Sequence, residues 1–183
     1  MTKQEEKVSK MIIRQAALGE YPAVRAFYHA VIDAVTDPLS SVQWIKDIYP
    51  SPEFLMASIE AGDLYVAVEK DSVIASMVLN HQCNEGYRKF KWPTEAEENE
   101  MTVIHALGVH PSCTRKGCGR QMIQFAVEEA RKNSQKALRL DVRKGNIAAE
   151  GLYASMGFRK LYTLPMFYED TGWTDFELYE YQL

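Results

Sequence analysis

The sequence lacks several features that would settle its class at once. No stretch approaches the roughly 18–20 apolar residues that a membrane-crossing helix needs, although 46% of its 183 residues are hydrophobic. Positive charge is not in excess. Lys and Arg number 21 against 25 Asp and Glu, a net charge of −4, which argues against a general binder of nucleic-acid backbones. Cysteine is scarce: Cys83, Cys113 and Cys118 are an odd number without framework spacing. A disulfide scaffold is therefore not expected, and reduced thiols in the cytoplasm are. Internal repeats, low-complexity tracts and a second core are also missing. Residues 1–10 are polar and carry no hydrophobic secretion segment. They read as a flexible tail ahead of one domain spanning 11–183.

What is present reads as alternating strands and helices. Residues 11–15 suit a short strand. Pro22 opens a helix carrying Val24, Phe27, Val31 and Val35 at helical spacing, and Asp37-Pro38 breaks it. Val42, Ile45 and Ile48 predict a second helix. Ser51-Pro52 caps a third, with Phe54, Leu55 and Ile59 inward and Gly62 as its stop. Residues 64–68 and 73–79 form a hairpin around a polar turn. The connection over 80–100 is long and mixes Tyr87, Phe90 and Trp92 with several glutamates; a functional lid and a solvated insertion are both open readings. A strand over 101–109 follows, its alternation placing His105, Leu107 and Val109 on one face. Next come a helix with Ile123, Ala126, Val127 and Ala130, and a strand with Leu138, Leu140 and Val142. A helix with Ala148, Leu152 and Met156 precedes two final strands, 158–162 and 176–181, joined by a loop containing Pro165 and Gly172-Trp173. This order predicts a mixed sheet with helices on its faces.

The stretch from Leu107 to Arg120 carries the strongest chemical signal. A strand runs into Val109, a turn follows at His110-Pro111, and a loop with Gly117 and Gly119 opens a helix near Arg120. Glycines let backbone N–H groups turn toward an anion, and a helix N-terminus adds about half a positive charge. Arg115, Lys116 and Arg120 add three full charges, so a phosphate-bearing ligand fits. A plain strand-to-helix connection with solubilising arginines is the alternative. The stretch lacks the Gly-Lys-Ser/Thr ending of Walker A and the third glycine of the dinucleotide fingerprint.

A second motif follows: Asn146, Ala149, Tyr153, Gly157 and Phe158. With Leu107, Val109 and Pro111, then Gly117 and Gly119, it resembles the GNAT superfamily of acetyl-CoA-dependent N-acetyltransferases. The resemblance covers 11 to the C-terminus in element order and is most specific from 104 to 158. It implies a mixed, mostly antiparallel twisted sheet of six to seven strands, with a splayed central pair forming a CoA cleft. It further implies that Leu107, Gly108 and Val109 hold the pantetheine arm through their backbone. Thr114, Arg115, Lys116, Gly117, Cys118, Gly119 and Arg120 would wrap the pyrophosphate, and Asn146 would contact the arm. Tyr153 would protonate the leaving thiolate. One position departs from the pattern: Thr114 stands where the family carries Gln or Arg, so its hydroxyl and backbone remain but a charge is lost.

Transfer to an amine needs a neutral nitrogen, whereas a lysine-type amine has a pKa of about 10.4. His105 occupies the position of a frequent family base, with Glu100 behind it and a water-mediated route equally open. His105, His110, Cys113 and Cys118 fit no zinc spacing, so no metal is expected. Cys118 reads as a filler between the loop glycines rather than a nucleophile. Asp141 lies mid-strand and belongs to no Ser/His/Asp arrangement. Tyr21, Tyr28, Trp44 and Tyr49 fall where the family builds acceptor sites, or else in the core. The expected activity is acetyl transfer from acetyl-CoA to a primary amine, most simply a small molecule, by direct attack in a ternary complex. A silent CoA-binding module and a protein or peptide N-acetyltransferase are the alternatives. A monomer or homodimer, with no nucleic-acid or membrane partner, is expected.

Overall fold

Alternation of apolar side chains builds one seven-stranded sheet that is covered on both faces. The structure, a computed structural model, describes residues 11–36 and 43–183. Its elements run β1 (Ile12–Gln15), α1 (Tyr21–Asp33), α2 (Pro52–Glu60), β2 (Leu64–Glu69), β3 (Ser72–Asn80), β4 (Met101–Val109), α3 (Cys118–Lys132), β5 (Ala137–Arg143), α4 (Ile147–Ser155), β6 (Arg159–Tyr168) and β7 (Gly172–Gln182). The strand order is β1-β2-β3-β4-β5-β7-β6. Among the described residues only β4 and β5 pair in parallel; every other pairing is antiparallel. On one face α3 lays Met122, Ile123, Ala126 and Val127 against Leu138, Leu140 and Val142. On the other, Val24, Phe27 and Val31 of α1 and Leu55 and Ile59 of α2 pack on Leu64, Val66 and Val78. Ser51 caps α2 by accepting from the Phe54 N–H at 3.1 Å, with Pro52 at its first turn, and Gly62 ends it at φ +76°.

Three local expectations change. The helix predicted through Ile45 and Ile48 is a turn at Lys46–Ile48, with Asp47 at φ +60°; Val42 lies outside the described residues. Pro50 and Pro52 push the residues before them out of the helical region, and the Arg25 guanidinium grips the Asp47 carboxylate at 2.8 and 2.6 Å. The two short final strands are instead one long hairpin running through Pro165, which pairs with Asp175. A proline is tolerated there because β6 is the sheet's outer strand. The 80–100 connection is anchored to the sheet rather than free in solvent along its whole length. Tyr87 and Trp92 enter a third core with Val103, Met166, Phe176 and Leu178.

The last change concerns the central strand. β4 carries an extra residue: Val78 faces His105 and Ser76 faces Gly108, so Met77 alone opposes Ala106 and Leu107. Ala106 sits at φ +49°, the signature of a β-bulge. A bulge reverses the alternation. His105 therefore sits beside Phe54 of α2, while Leu107 and Val109 pack toward α3. The three do not share a face.

Candidate active site

The parallel pair at the centre of the sheet comes apart. β4 and β5 pair only at Met101–Ala137, Thr102–Leu138 and Val103–Arg139. Beyond Val103 the edge of β4 that faces β5 has no ladder partner. Two cavities that share lining residues open there.

The first is a groove of about 650 Å³ lined by Leu107, Gly108, Val109, Thr114, Arg115, Gly117, Cys118, Gly119, Arg120 and Asn146. Of the positions predicted to hold CoA, only Lys116 lies outside it. Gly117 precedes α3 at φ +81°, a conformation that glycine adopts without strain, and no side chain caps the helix. The first N–H to be taken up within the helix is that of Gln121, by the Gly117 carbonyl at 3.1 Å, which leaves the first-turn N–H groups to an anion. A Cβ on Gly119 would lie 3.1 Å from Leu152 of α4 and 3.6 Å from Val109, so a larger residue narrows the groove. Thr114 and Arg115 are exposed at its mouth. The Arg120 guanidinium donates to Ser155 Oγ at 2.8 Å. Asn146 is buried and caps α4, its Oδ1 accepting from the Ala149 N–H at 3.2 Å. A bare phosphate cradle, a free strand edge and a narrow channel between them fit a long thioester ending in a pyrophosphate.

The second cavity, about 120 Å³, is lined by Trp44, Tyr49, His105, Asp141, Arg143, Tyr168 and Asp170 among others. Leu107, Asn146, Ala149 and Tyr153 border both cavities. Tyr153 is buried against Phe158 and Tyr179. Among the described residues its hydroxyl has no hydrogen-bond partner. Burial, and then the nearby Asp141 carboxylate, push its pKa above the ordinary phenol value, so it keeps its proton at neutral pH.

His105 also faces the second cavity, but its Nε2 lies 2.9 Å from Asn80 Oδ1 and 3.0 Å from the Gln82 carbonyl. Two acceptors assign the ring proton to Nε2. Burial lowers the pKa to about 4, against a smaller raising effect of the Gln82 bond. Glu100 lines neither cavity; it pairs with Lys136 at 2.6 Å at the far end of β4. Of the early aromatics, Trp44 and Tyr49 line the cavity and Tyr21 does not. Tyr28 is buried and donates to the Ala106 carbonyl at 2.8 Å, bracing the bulge.

The side chain that sequence reasoning set aside is Asp141. Its Oδ1 accepts from the Tyr87 hydroxyl at 2.8 Å and its Oδ2 from the Tyr168 hydroxyl at 3.0 Å. Burial raises its pKa and the two hydroxyls lower it, with burial dominant. The signal was available: Arg139, Asp141 and Arg143 alternate on a strand whose other residues are buried, and charged side chains on a central strand need a reason.

Residues 28–158 match the Acetyltransferase (GNAT) family. The chain belongs to this family. Acetyl-CoA is the family's acetyl donor, and the splayed pair with its uncapped helix is where such a donor fits. Along 67 residues the chain is 34% identical to the [Ribosomal protein bS18]-alanine N-acetyltransferase of Escherichia coli K12, a match covering 37% of this chain and 45% of that protein. The chain thus spans under half the length of that relative. Over 182 residues it is 25% identical to the L-amino acid N-acyltransferase MnaT of the same strain, covering 94% of both. The acetyl-CoA complex of yncA from Salmonella typhimurium superimposes with a TM-score of 0.69 at 22% identity, over 96% of this chain and 95% of that one, a likeness of fold. No described helix is long and apolar enough to cross a membrane.

Proposed function

We propose that this GNAT protein transfers the acetyl group of acetyl-CoA to the primary amine of a small molecule by direct attack. The observation that carries the reading is the junction of the two cavities, where Tyr153 borders both and Asp141 lines the smaller. An amine enters as an ammonium, with a pKa near 10.4 if lysine-like. In the buried cavity two opposite charges are costly, and the raised pKa of Asp141 reflects that cost. Passing the proton from the ammonium to Asp141 replaces both charges with neutral groups. The freed nitrogen lone pair then forms a bond to the acetyl carbon, the carbon–sulfur bond breaks, and the electron pair leaves on sulfur. The Tyr153 hydroxyl donates its proton to that sulfur, and the second proton that the acylated nitrogen sheds restores the phenol, leaving a neutral amide and a free thiol. Asp141 thereby takes the role first assigned to His105. An imidazole with a pKa of about 4 holds a proton too weakly for that task, so His105 shapes the cavity wall and positions Asn80.

Thiol release from acetyl-CoA with a panel of amines tests this. Turnover is expected with wild type, and Tyr153→Phe lowers kcat by about 10²–10⁴-fold. CoA binding without turnover on any amine would make the protein a silent CoA-binding module. Turnover confined to peptide N-termini would make it a peptide acetyltransferase.

A further inference from the structure

On the reading above, the acceptor cavity also says what its substrate carries besides the amine. Strand β5 turns three charged side chains to one face, and their states differ. Arg139 is matched: its Nε donates to Glu180 at 3.0 Å and its Nη2 to the Thr94 carbonyl at 2.8 Å, over the Trp92 ring. Asp141 is held by two hydroxyls and has no cation. The Arg143 side chain forms no hydrogen bond or ion pair among the described residues, and its Nε is buried with no partner. An arginine left in this state is costly unless something arrives to satisfy it.

Arg143 lines the acceptor cavity together with Asp141. Its guanidinium is a planar fork suited to a carboxylate, which it can grip with two parallel hydrogen bonds. We propose that the acceptor is an amino acid with a free carboxylate, its ammonium at Asp141 and its carboxylate at Arg143. Alternate residues of a strand stand about 7 Å apart, a span that a short molecule bearing both groups bridges. A polyamine carries no anion and meets a repelling charge at Arg143. A peptide N-terminus has an amide where the carboxylate should be. The remaining walls, including Trp44, Tyr49 and Phe176, surround a space of about 120 Å³, which suits a molecule of amino-acid size. Asp170 lines the same cavity without pairing to Arg143; burial raises its pKa and the Arg143 charge lowers it. The fork therefore stays open for the ligand. Acetylation removes the charge that Asp141 holds but leaves the carboxylate, so the product keeps only half of its anchorage.

The test uses the full chain, acetyl-CoA and thiol release. The protein amino acids are compared with amines lacking only the carboxylate, such as isoamylamine for leucine and phenethylamine for phenylalanine. For the preferred amino acid, wild-type kcat/KM is expected to exceed that of its matching amine by about 100-fold or more, as for a site built to bind a polar group. Arg143→Gln brings that ratio to within a few-fold of one, and Arg143→Lys restores part of it. A wild-type ratio near or below one overturns the proposal, whatever the variants do. Turnover of amines or peptides with none on any amino acid overturns it too, while leaving the acetyltransferase reading intact. No turnover on any acceptor sinks that reading, and this inference with it.

Discussion

Asp141, the base in the proposed reaction, would serve chemistry at the expense of the fold. Its carboxyl pKa is raised in the folded protein above its usual value. The folded state therefore binds the proton more tightly than the unfolded chain, and stability falls as pH rises from the ordinary carboxylate range to the raised value. Asp141→Asn removes that penalty and keeps an oxygen for the tyrosine hydroxyls. At pH 7 the variant is expected to melt at a higher temperature than the wild type, and the gain should vanish below the ordinary carboxylate range. The same variant should lose about 10²-fold or more in kcat/KM. Wild-type activity should rise with pH through the raised Asp141 value. Melting curves and a pH–rate profile measure both, and an Asn variant that is active or less stable at pH 7 contradicts the assignment. Residue identity alone could not single out Asp141: the sequence shows an acid on a strand, and only its contacts with Tyr87, from the long connection, and Tyr168, from the hairpin, disclose a buried carboxylate without a cation.

The bulge in β4 has the largest consequence among the secondary-structure elements. Strict alternation would have set His105 beside Leu107 and so against the CoA groove. One extra residue turns His105 toward α2 and leaves Leu107 and Val109 at the groove. Its backbone is held by Tyr28, whose hydroxyl reaches the Ala106 carbonyl from α1. Tyr28→Phe strands that buried acceptor, at an expected cost of about 1–3 kcal/mol, and loosens the strand edge proposed to hold the donor. Urea denaturation reads the first effect and acetyl-CoA affinity the second; loss of stability with affinity intact would separate the bulge from binding. The bulge was not legible in the sequence because Ala106 carries no mark of a positive φ, unlike Gly117. The loop and the start of α3 were legible, since their glycines act locally.

Across the whole molecule, the 80–100 connection and the final hairpin form a third core on the polar face of β5. Glu180 ties them together: it pairs with Arg139 and accepts both the Thr94 N–H, at 3.1 Å, and the Thr94 hydroxyl, at 2.9 Å. Both charged side chains are almost wholly buried, at 6% and 4% exposure. Glu180→Ala leaves the Arg139 charge buried and unpaired, and about 3–5 kcal/mol of stability should be lost. The double variant Arg139→Met with Glu180→Leu should recover most of that. If both variants are equally unstable by denaturant titration, the pair is not what closes this face. Arg139 stands two residues before Asp141 on the same face, so this core also fixes the floor of the acceptor cavity.

Local chemistry decided the element order, the caps of α2 and the glycine loop before α3, because propensities, turns and helix ends depend on residues close in the chain. The acceptor cavity was decided by tertiary contacts. Tyr49, His105, Asp141, Arg143, Tyr168 and Asp170 come from four separate segments, brought together by strand pairing, the bulge and the hairpin. The altered pKa values of Tyr49, His105, Asp141, Tyr168 and Asp170 arise first from burial, which no residue carries by itself. The phosphate loop of the proposed donor site is thus a property of one strand–loop–helix unit, whereas the open edge of β4 and the proposed acceptor site are properties of the assembled sheet.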